Sequence, residues 1–294
     1  MHKEFEEILS TLNKTIIHLD AKGVQKEFEN IPLDIFGRIQ IDRPSEYPNI
    51  FHWLPQMPSS DIQRSWTGSA DHVLMKQSLV FLKTIISAYH AIACKPLGLG
   101  NVLDFGCGWG RLIRLLYKYV PADRIYGVDP WLKSIEICQE TNVRANLFLS
   151  EYVPRSLPTP ENLKFDFIMA FSVFTHLSEK VTKICAETLR NYLTDTGVVA
   201  ITIRPVEYWD FMRNGKESSF TREDIIKLLT DHDQKGFAFY PHNREKIEGE
   251  VTYGDTSMSL EFVRDNFVGL DIVGVEFNES DPLQLIVFLK KSAK

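Results

Sequence analysis

The chain has 294 residues, 44% of them apolar and 24% charged, with a formal net charge of −6. That length and balance fit one large soluble domain, or a domain carrying a cap, and the lack of any Lys/Arg cluster excludes a partner held by its phosphates, such as nucleic acid. No apolar run approaches a membrane span, and the charged start Met1-His-Lys-Glu-Phe-Glu-Glu7 is no signal peptide, so the expectation is a cytoplasmic protein with no membrane partner.

Cys94, Cys107, Cys138 and Cys185 stand far apart with no C-x-x-C pair. They read as reduced thiols, not as a disulfide frame or zinc site. Residues 2–30 carry Phe5, Ile8, Leu9, Leu12, Ile16, Ile17 and Leu19 at helical spacing. Residues 31–69 hold Pro32, Pro44, Pro48, Pro55 and Pro58 among aromatics, predicting an extended, irregular segment that wraps over the core. Trp66-Thr-Gly68 closes that segment, and Trp66 is its candidate ligand contact. A helix is predicted over 70–93, with Ser69 or Asp71 as its N-cap.

The stretch the chain is organised around follows. Asn101-Val-Leu-Asp104 is a strand ending in an acid, Gly106, Gly108 and Gly110 come next at spacing two, and a helix is predicted over about 110–119. Glycines there let the backbone turn sharply and let a ligand approach with no Cβ in the way. A helix start behind them would add free N–H groups and a positive dipole end. The dinucleotide fingerprint G-x-G-x-x-G wants a glycine at position 111, where Arg111 stands. Ile125-Tyr-Gly-Val-Asp129 is a second strand ending in an acid, and a carboxylate placed so can accept from both ribose hydroxyls.

A helix over 131–141, a strand over 146–149 and the turn Ser150-Glu151 follow. Phe165–Phe171 is the fourth strand, running into Ser172-Val-Phe-Thr-His-Leu177 and a helix over 179–192. Val198–Ile203 is the fifth. Strands alternating with helices predict an α/β, doubly wound, mostly parallel sheet of seven strands. Residues 270–277 and 283–289 read as the antiparallel hairpin that closes it. The expected organisation is an N-terminal helical and irregular cap over 1–97 and a core over 98–204. A lid or acceptor-site insertion after strand five covers 205–256, and 257–294 completes the sheet. An insertion there would overhang the carboxyl edge, where ligands of such sheets bind.

Leu103-Asp-Phe-Gly-Cys-Gly-Trp-Gly-Arg111, Ser172-Val-Phe-Thr-His-Leu177, Leu193–Gly197 and Tyr253-Gly-Asp…Glu261-Phe-Val-Arg264 together resemble the class I S-adenosylmethionine (SAM)-dependent methyltransferases of small-molecule biosynthesis. The resemblance covers about residues 66–290. It implies SAM as cofactor, S-adenosylhomocysteine (SAH) as product and a small-molecule acceptor, with no oligomeric state specified. It further implies a cofactor set of Trp66, Asp104, Gly106, Cys107, Gly108, Gly110, Asp129, Pro130, Glu151 and Phe171. Asp104 and Gly106 fall near the methionine end, Asp129 on ribose and Glu151 on the adenine amine, a solvated loop acid being the alternative for Glu151. No Asn/Asp-Pro-Pro-aromatic motif follows strand four, which disfavours methylation of nucleobase amines. Ser172 and Thr175 accompany His176 where related ubiquinone-pathway enzymes carry metal-binding glutamates, so no metal is expected. Asp281-Pro-Leu-Gln284 replaces the Gln-Asp pair usual before the last strand.

SAM is an activated donor, so alignment with the acceptor does most of the work. An oxygen acceptor would gain from a general base, and His176 and His242 are the candidates. Their structural alternatives are a histidine bridging its own backbone and an exposed loop histidine. Arg204 reads either as a contact for an anionic acceptor or as an ordinary surface pair. Two other functions stay open: a SAM-binding regulator without transfer, and a nicotinamide-dependent oxidoreductase.

Overall fold

A computed structural model describes residues 2–214 and 220–293. Its strands are β1 (Val102–Phe105), β2 (Ile125–Asp129), β3 (Asn146–Leu149), β4 (Phe165–Ala170), β5 (Leu193–Ile203), β6 (Phe237–Pro241), β7 (Gly254–Met258), β8 (Leu270–Phe277) and β9 (Leu285–Lys291). A seven-stranded sheet runs in the order β3-β2-β1-β4-β5-β9-β8, and β6 pairs with β7 separately. β1–β2, β2–β3 and β4–β5 are parallel, while β9 runs antiparallel to both β5 and β8. This is the predicted mostly parallel sheet with its closing antiparallel hairpin. Leu103, Phe167, Ile168, Val199 and Ile201 are buried along it, the near-continuous apolar run of strands covered on both faces. No described helix is long and apolar enough to cross a membrane.

The chain divides into two compact units, Met1–His90 with Lys95–Leu149 and Ala91–Cys94 with Ser150–Lys294. In the first, the Pro-rich segment is not extended. It forms the helices Leu33–Asp42, Pro48–Trp53 and Ser60–Thr67. Each proline sits where a helix tolerates one: Pro32 is an N-cap, Pro48 opens its helix, and Pro44 follows Arg43, a left-handed C-cap. Proline here punctuates short helices whose apolar faces are buried through Phe36, Ile39 and Ile50. The helix Asp71–Ala93 falls where predicted. The helix after the glycine loop is shorter than expected, Ile113–Leu116 only. So short a helix carries little dipole, which removes that part of the expected ligand attraction.

In the second unit β4 leads through residues 171–178 into the helix Glu179–Tyr192, as predicted. The segment after β5 contributes the helices Glu207–Asn214 and Arg222–Lys235 and the β6–β7 ribbon. Thr221 and Asp224 close a reciprocal capping box at the second helix. Tyr208, Trp209, Leu228 and Ala238 form the buried cluster under these elements. Residues 215–219 of the predicted lid lie outside the described residues. Gly254–Met258 is taken up in pairing with β6, and the helix Leu260–Asn266 follows it.

Candidate functional site

The candidate residues fall into two groups, one in each unit. In the first, β1 runs into Gly106, Gly108 and Gly110, whose φ values of 77°, 53° and 76° lie in the left-handed region. A side chain there costs roughly 1–2 kcal/mol per residue, so the glycines are a backbone requirement. The loop is fastened to β2 at both its start and its middle. Gly106 and Cys107 donate their N–H groups to the Val128 carbonyl at 2.8 and 3.0 Å. Gly108 donates to Asp129 Oδ2 at 2.9 Å, while Trp131 N–H and Ser134 Oγ donate to Asp129 Oδ1 at 2.9 and 2.7 Å.

Asp129 is therefore the hub of the loop. Burial pushes its carboxyl up, and the bonds from Ser134, Trp131 and Gly108 pull it back. Asp104, 2% exposed, is pushed up to about 7 by burial, against the nearby Arg111 charge, with Asp129 adding to the rise. Burial in turn lowers Arg111 to about 10, Asp104 opposing. Trp66 and Trp131 stack with centroids 4.5 Å apart and planes 19° apart. Arg114 ties the base of the loop, donating to Trp109 O, to Gln56 O at 2.9 Å and to Thr141 Oγ1 at 2.6 Å.

In the second unit the turn after β4 packs against β7. Ser172 adopts φ 58° and donates its N–H to Thr202 Oγ1 at 2.7 Å. Gly254 N–H donates to His176 O, and Thr256 N–H to Thr175 O, at 2.8 and 2.9 Å. This strand-like pairing sets His176 Nδ1 2.7 Å from the Gly254 carbonyl. A carbonyl only accepts, so Nδ1 carries the proton and Nε2 keeps its lone pair. Burial, then the Arg204 charge, push His176 down to about 4, against the Gly254 bond and Asp255, so the ring is neutral at pH 7.

Asp255 gathers the rest of this group. His242 Nε2 lies 2.9 Å from its Oδ2, and Arg204 Nη1 and Tyr208 OH donate to its Oδ1 at 2.6 and 3.0 Å. Burial raises the Asp255 carboxyl, but His242, Arg204 and His176 together leave it below its ordinary value. The His176 ring stacks on Tyr253, centroids 5.0 Å apart and planes 7° apart, and lies 6.5 Å from the His242 ring.

Residues 102–197 match a family model described as "Methyltransferase domain". Over that third of its length the chain is similar to a methyltransferase domain. An uncharacterized protein of Rickettsia prowazekii is 26% identical over 159 residues, 53% of this chain and 64% of its own length, so the match spans less than two thirds of that relative. Among solved structures, an S-adenosylmethionine-dependent methyltransferase from Clostridium acetobutylicum superposes with a TM-score of 0.51 at 12% identity, over 79% of this chain and 97% of its own. A Pyrococcus horikoshii protein gives 0.50 at 15%, over 72% and 89%. At such identities the superpositions speak for the fold.

The glycine loop is open beside Gly108. A Cβ built at Gly108 meets only Trp66 ring carbons, at 3.8 Å. Asp129 Oδ1 accepts two hydrogen bonds and Oδ2 one, so Oδ2 keeps a free lone pair. Asp104, Cys107 and Asp129 are buried, and Trp66 and Pro130 are half-buried, all within the first unit. Phe171 is half-buried just after β4, and Glu151 is exposed. His176 and His242 meet across Tyr253 and Asp255. Arg204 is neither free nor on the surface: its side chain and that of Asp255 are both 12% exposed. Trp131, Tyr253 and Asp255 were not singled out from sequence. Asp255 had only the Tyr-Gly-Asp resemblance to mark it, and nothing in the sequence pairs it with Arg204 and His242.

Proposed function

We propose that the chain moves a methyl group from SAM to an oxygen of a small-molecule acceptor, leaving SAH, with His176 as general base and without a metal. The observation that carries this reading is the His176 tautomer, its Nδ1 proton committed to Gly254 O at 2.7 Å and its Nε2 lone pair left for a substrate proton. Trp66, Asp104, Gly106, Cys107, Gly108, Gly110, Asp129, Pro130 and Phe171 form the cofactor set. Asp129 accepts from a ribose hydroxyl, and Asp255 fixes His242 beside the base. Bound there, SAM supplies an activated methyl sulfonium. Well-oriented reactants can gain about 7–11 kcal/mol from proximity alone, so the chain's own tasks are orientation, exclusion of water and one proton. The acceptor hydroxyl gives its proton to His176 Nε2 as its oxygen takes the methyl group, and the electron pair of the broken C–S bond stays on sulfur.

The test pairs SAH calorimetry with methyl-transfer assays on His176→Asn. Loss of a general base slows transfer by roughly 10²–10⁴-fold, with SAH affinity unchanged. Equal turnover by the variant would remove His176 from the mechanism. SAM binding with no transfer to any hydroxyl compound would favour a regulatory protein instead.

A further inference from the structure

The β6–β7 ribbon leaves one strand edge free. Gly254, Thr256 and Met258 of β7 give their N–H groups to the carbonyls of His176, Thr175 and Arg204. Successive residues of an antiparallel strand bond to opposite sides, so Asp255 and Ser257 bond to β6, through Tyr240 and Ala238. The alternation continues past both ends of the ribbon, where Ser259 N–H donates to Gly236 O and His242 N–H to Tyr253 O. Phe237 and Phe239 therefore turn their N–H and C=O groups away from β7. No other described strand pairs with β6. Such an edge is a template for another chain, and Pro241, with no N–H, limits its usable length to Phe237–Phe239.

A cavity of about 490 Å³ is lined by this edge, through Phe237, Phe239 and Pro241, and by Val251. That volume lies in the range of small-ligand sites. The charges of the cavity are unevenly spent. Lys235 donates to Asp231 at 2.9 Å, Lys180 to Glu248 at 3.2 Å, and Glu179 accepts from Lys183 at 2.7 Å. Lys246 and Glu250 also line the cavity. Among the described residues Lys246 forms no ion pair, and the Glu250 carboxylate accepts only from the Ser178 hydroxyl, at 3.2 Å.

The cavity thus combines apolar side chains, a short strand edge, one unspent cation and one unspent anion. Added-strand recognition takes affinity from main-chain hydrogen bonds and specificity from the side-chain pockets beside them. We propose that the cavity binds a short apolar peptide with free termini, added antiparallel to β6 as a third strand. Its central residue exchanges N–H···O bonds with Phe239, its carboxylate meets Lys246 and its ammonium meets Glu250. The site uses neither the glycine loop nor His176, so it stands or falls apart from methyl transfer.

The experiment titrates the full chain calorimetrically with the tripeptide Val-Leu-Val. Its N-acetyl form, its C-terminal amide and the peptide methylated on the central nitrogen are titrated beside it. The free peptide should bind saturably. Each blocked terminus should weaken binding by roughly fivefold, the upper end for an exposed ion pair. The N-methyl peptide should bind at least about tenfold more weakly, because it loses a ladder bond and leaves the Phe239 carbonyl unpaired. Lys246→Ala should weaken the free peptide but not the amide, and Glu250→Gln should weaken the free peptide but not the N-acetyl form. Glu250→Gln keeps an acceptor for Ser178, and Lys246 is exposed, so both variants should melt as the wild type does. No binding of the free peptide, or equal binding of the N-methyl peptide, overturns the proposal without recourse to any variant. Equal binding of both blocked forms, or variants that weaken all peptides alike, overturns the assignment of the two charges.

Discussion

Replacing Asp129 with Asn tests the loop most sharply, because it removes one acceptor and keeps the shape. The carboxylate accepts from Gly108 N–H, Trp131 N–H and Ser134 Oγ. An asparagine can keep its oxygen toward Trp131 and Ser134, but it then turns an NH₂ group toward the Gly108 N–H. Flipping the amide only moves the conflict to Trp131. One buried donor is left without a partner in either case, at a cost of about 1–3 kcal/mol. For a chain of this size each kcal/mol corresponds to roughly 2–4 °C in midpoint, so the thermal midpoint should fall by about 2–12 °C. SAH affinity should fall at least about tenfold, or ~1.4 kcal/mol, because the same carboxylate orders Gly108 and is the group proposed to accept from ribose. Ser134→Ala is the control. It removes one donor and keeps the charge, and should cost less on both measures. Thermal unfolding and SAH calorimetry on the two variants give the answer. An Asp129→Asn protein of unchanged midpoint would mean that the carboxylate does not hold the loop.

Other perturbations probe the rest of the account. Gly110→Ala should destabilise more than Gly108→Ala: both positions have positive φ, but an added Cβ at Gly110 comes 3.0 Å from Arg114 Nη1 and 3.2 Å from Cys138 Sγ, so denaturant midpoints should separate the two. Asp255→Asn weakens the partner of a guanidinium whose side chain is 12% exposed; removing one partner of such a pair costs about 3–5 kcal/mol, and a loss below ~1 kcal/mol in urea unfolding would show the pair to be solvated. His176, held near 4 against an ordinary value of 6.5, stays neutral when folded while the unfolded chain takes up a proton. Stability is therefore lost as pH falls from about 6.5 to about 4, by up to ~3 kcal/mol for this group. Asp104, raised to about 7, acts in the opposite direction over part of that range, so the difference between wild type and His176→Asn is what should be measured. That difference should shift in favour of the variant on acidification, and a flat difference would contradict the burial of His176.

What the sequence made legible was whatever depends on short-range pattern. The strands carrying Asp104 and Asp129, the glycine turn between them and the helix Glu179–Tyr192 all follow from apolar period and glycine spacing, and all are present, β1 running one residue past Asp104 to Phe105. Proline misled where its position within an element matters more than its count: Pro32 and Pro48 start helices in a stretch that reads as irregular. The second group was half legible. His176 and His242 carry their chemistry openly, but Asp255 acquires its role by the pairing of β6 with β7 and of that ribbon with the turn after β4. Arg204 and Asp255 lie 51 positions apart, a separation that local pattern does not bridge. Trp131 gained its meaning only when a helix from the Pro-rich segment placed Trp66 on it.

The most direct measurement is calorimetric titration of the purified chain with SAM, SAH and NADH. The expected result is saturable binding of SAM and SAH and none of NADH, since Arg111 fills the place of the third glycine of a dinucleotide loop. Binding of NADH without SAM would contradict the cofactor assignment, and with it every role given to the glycine loop.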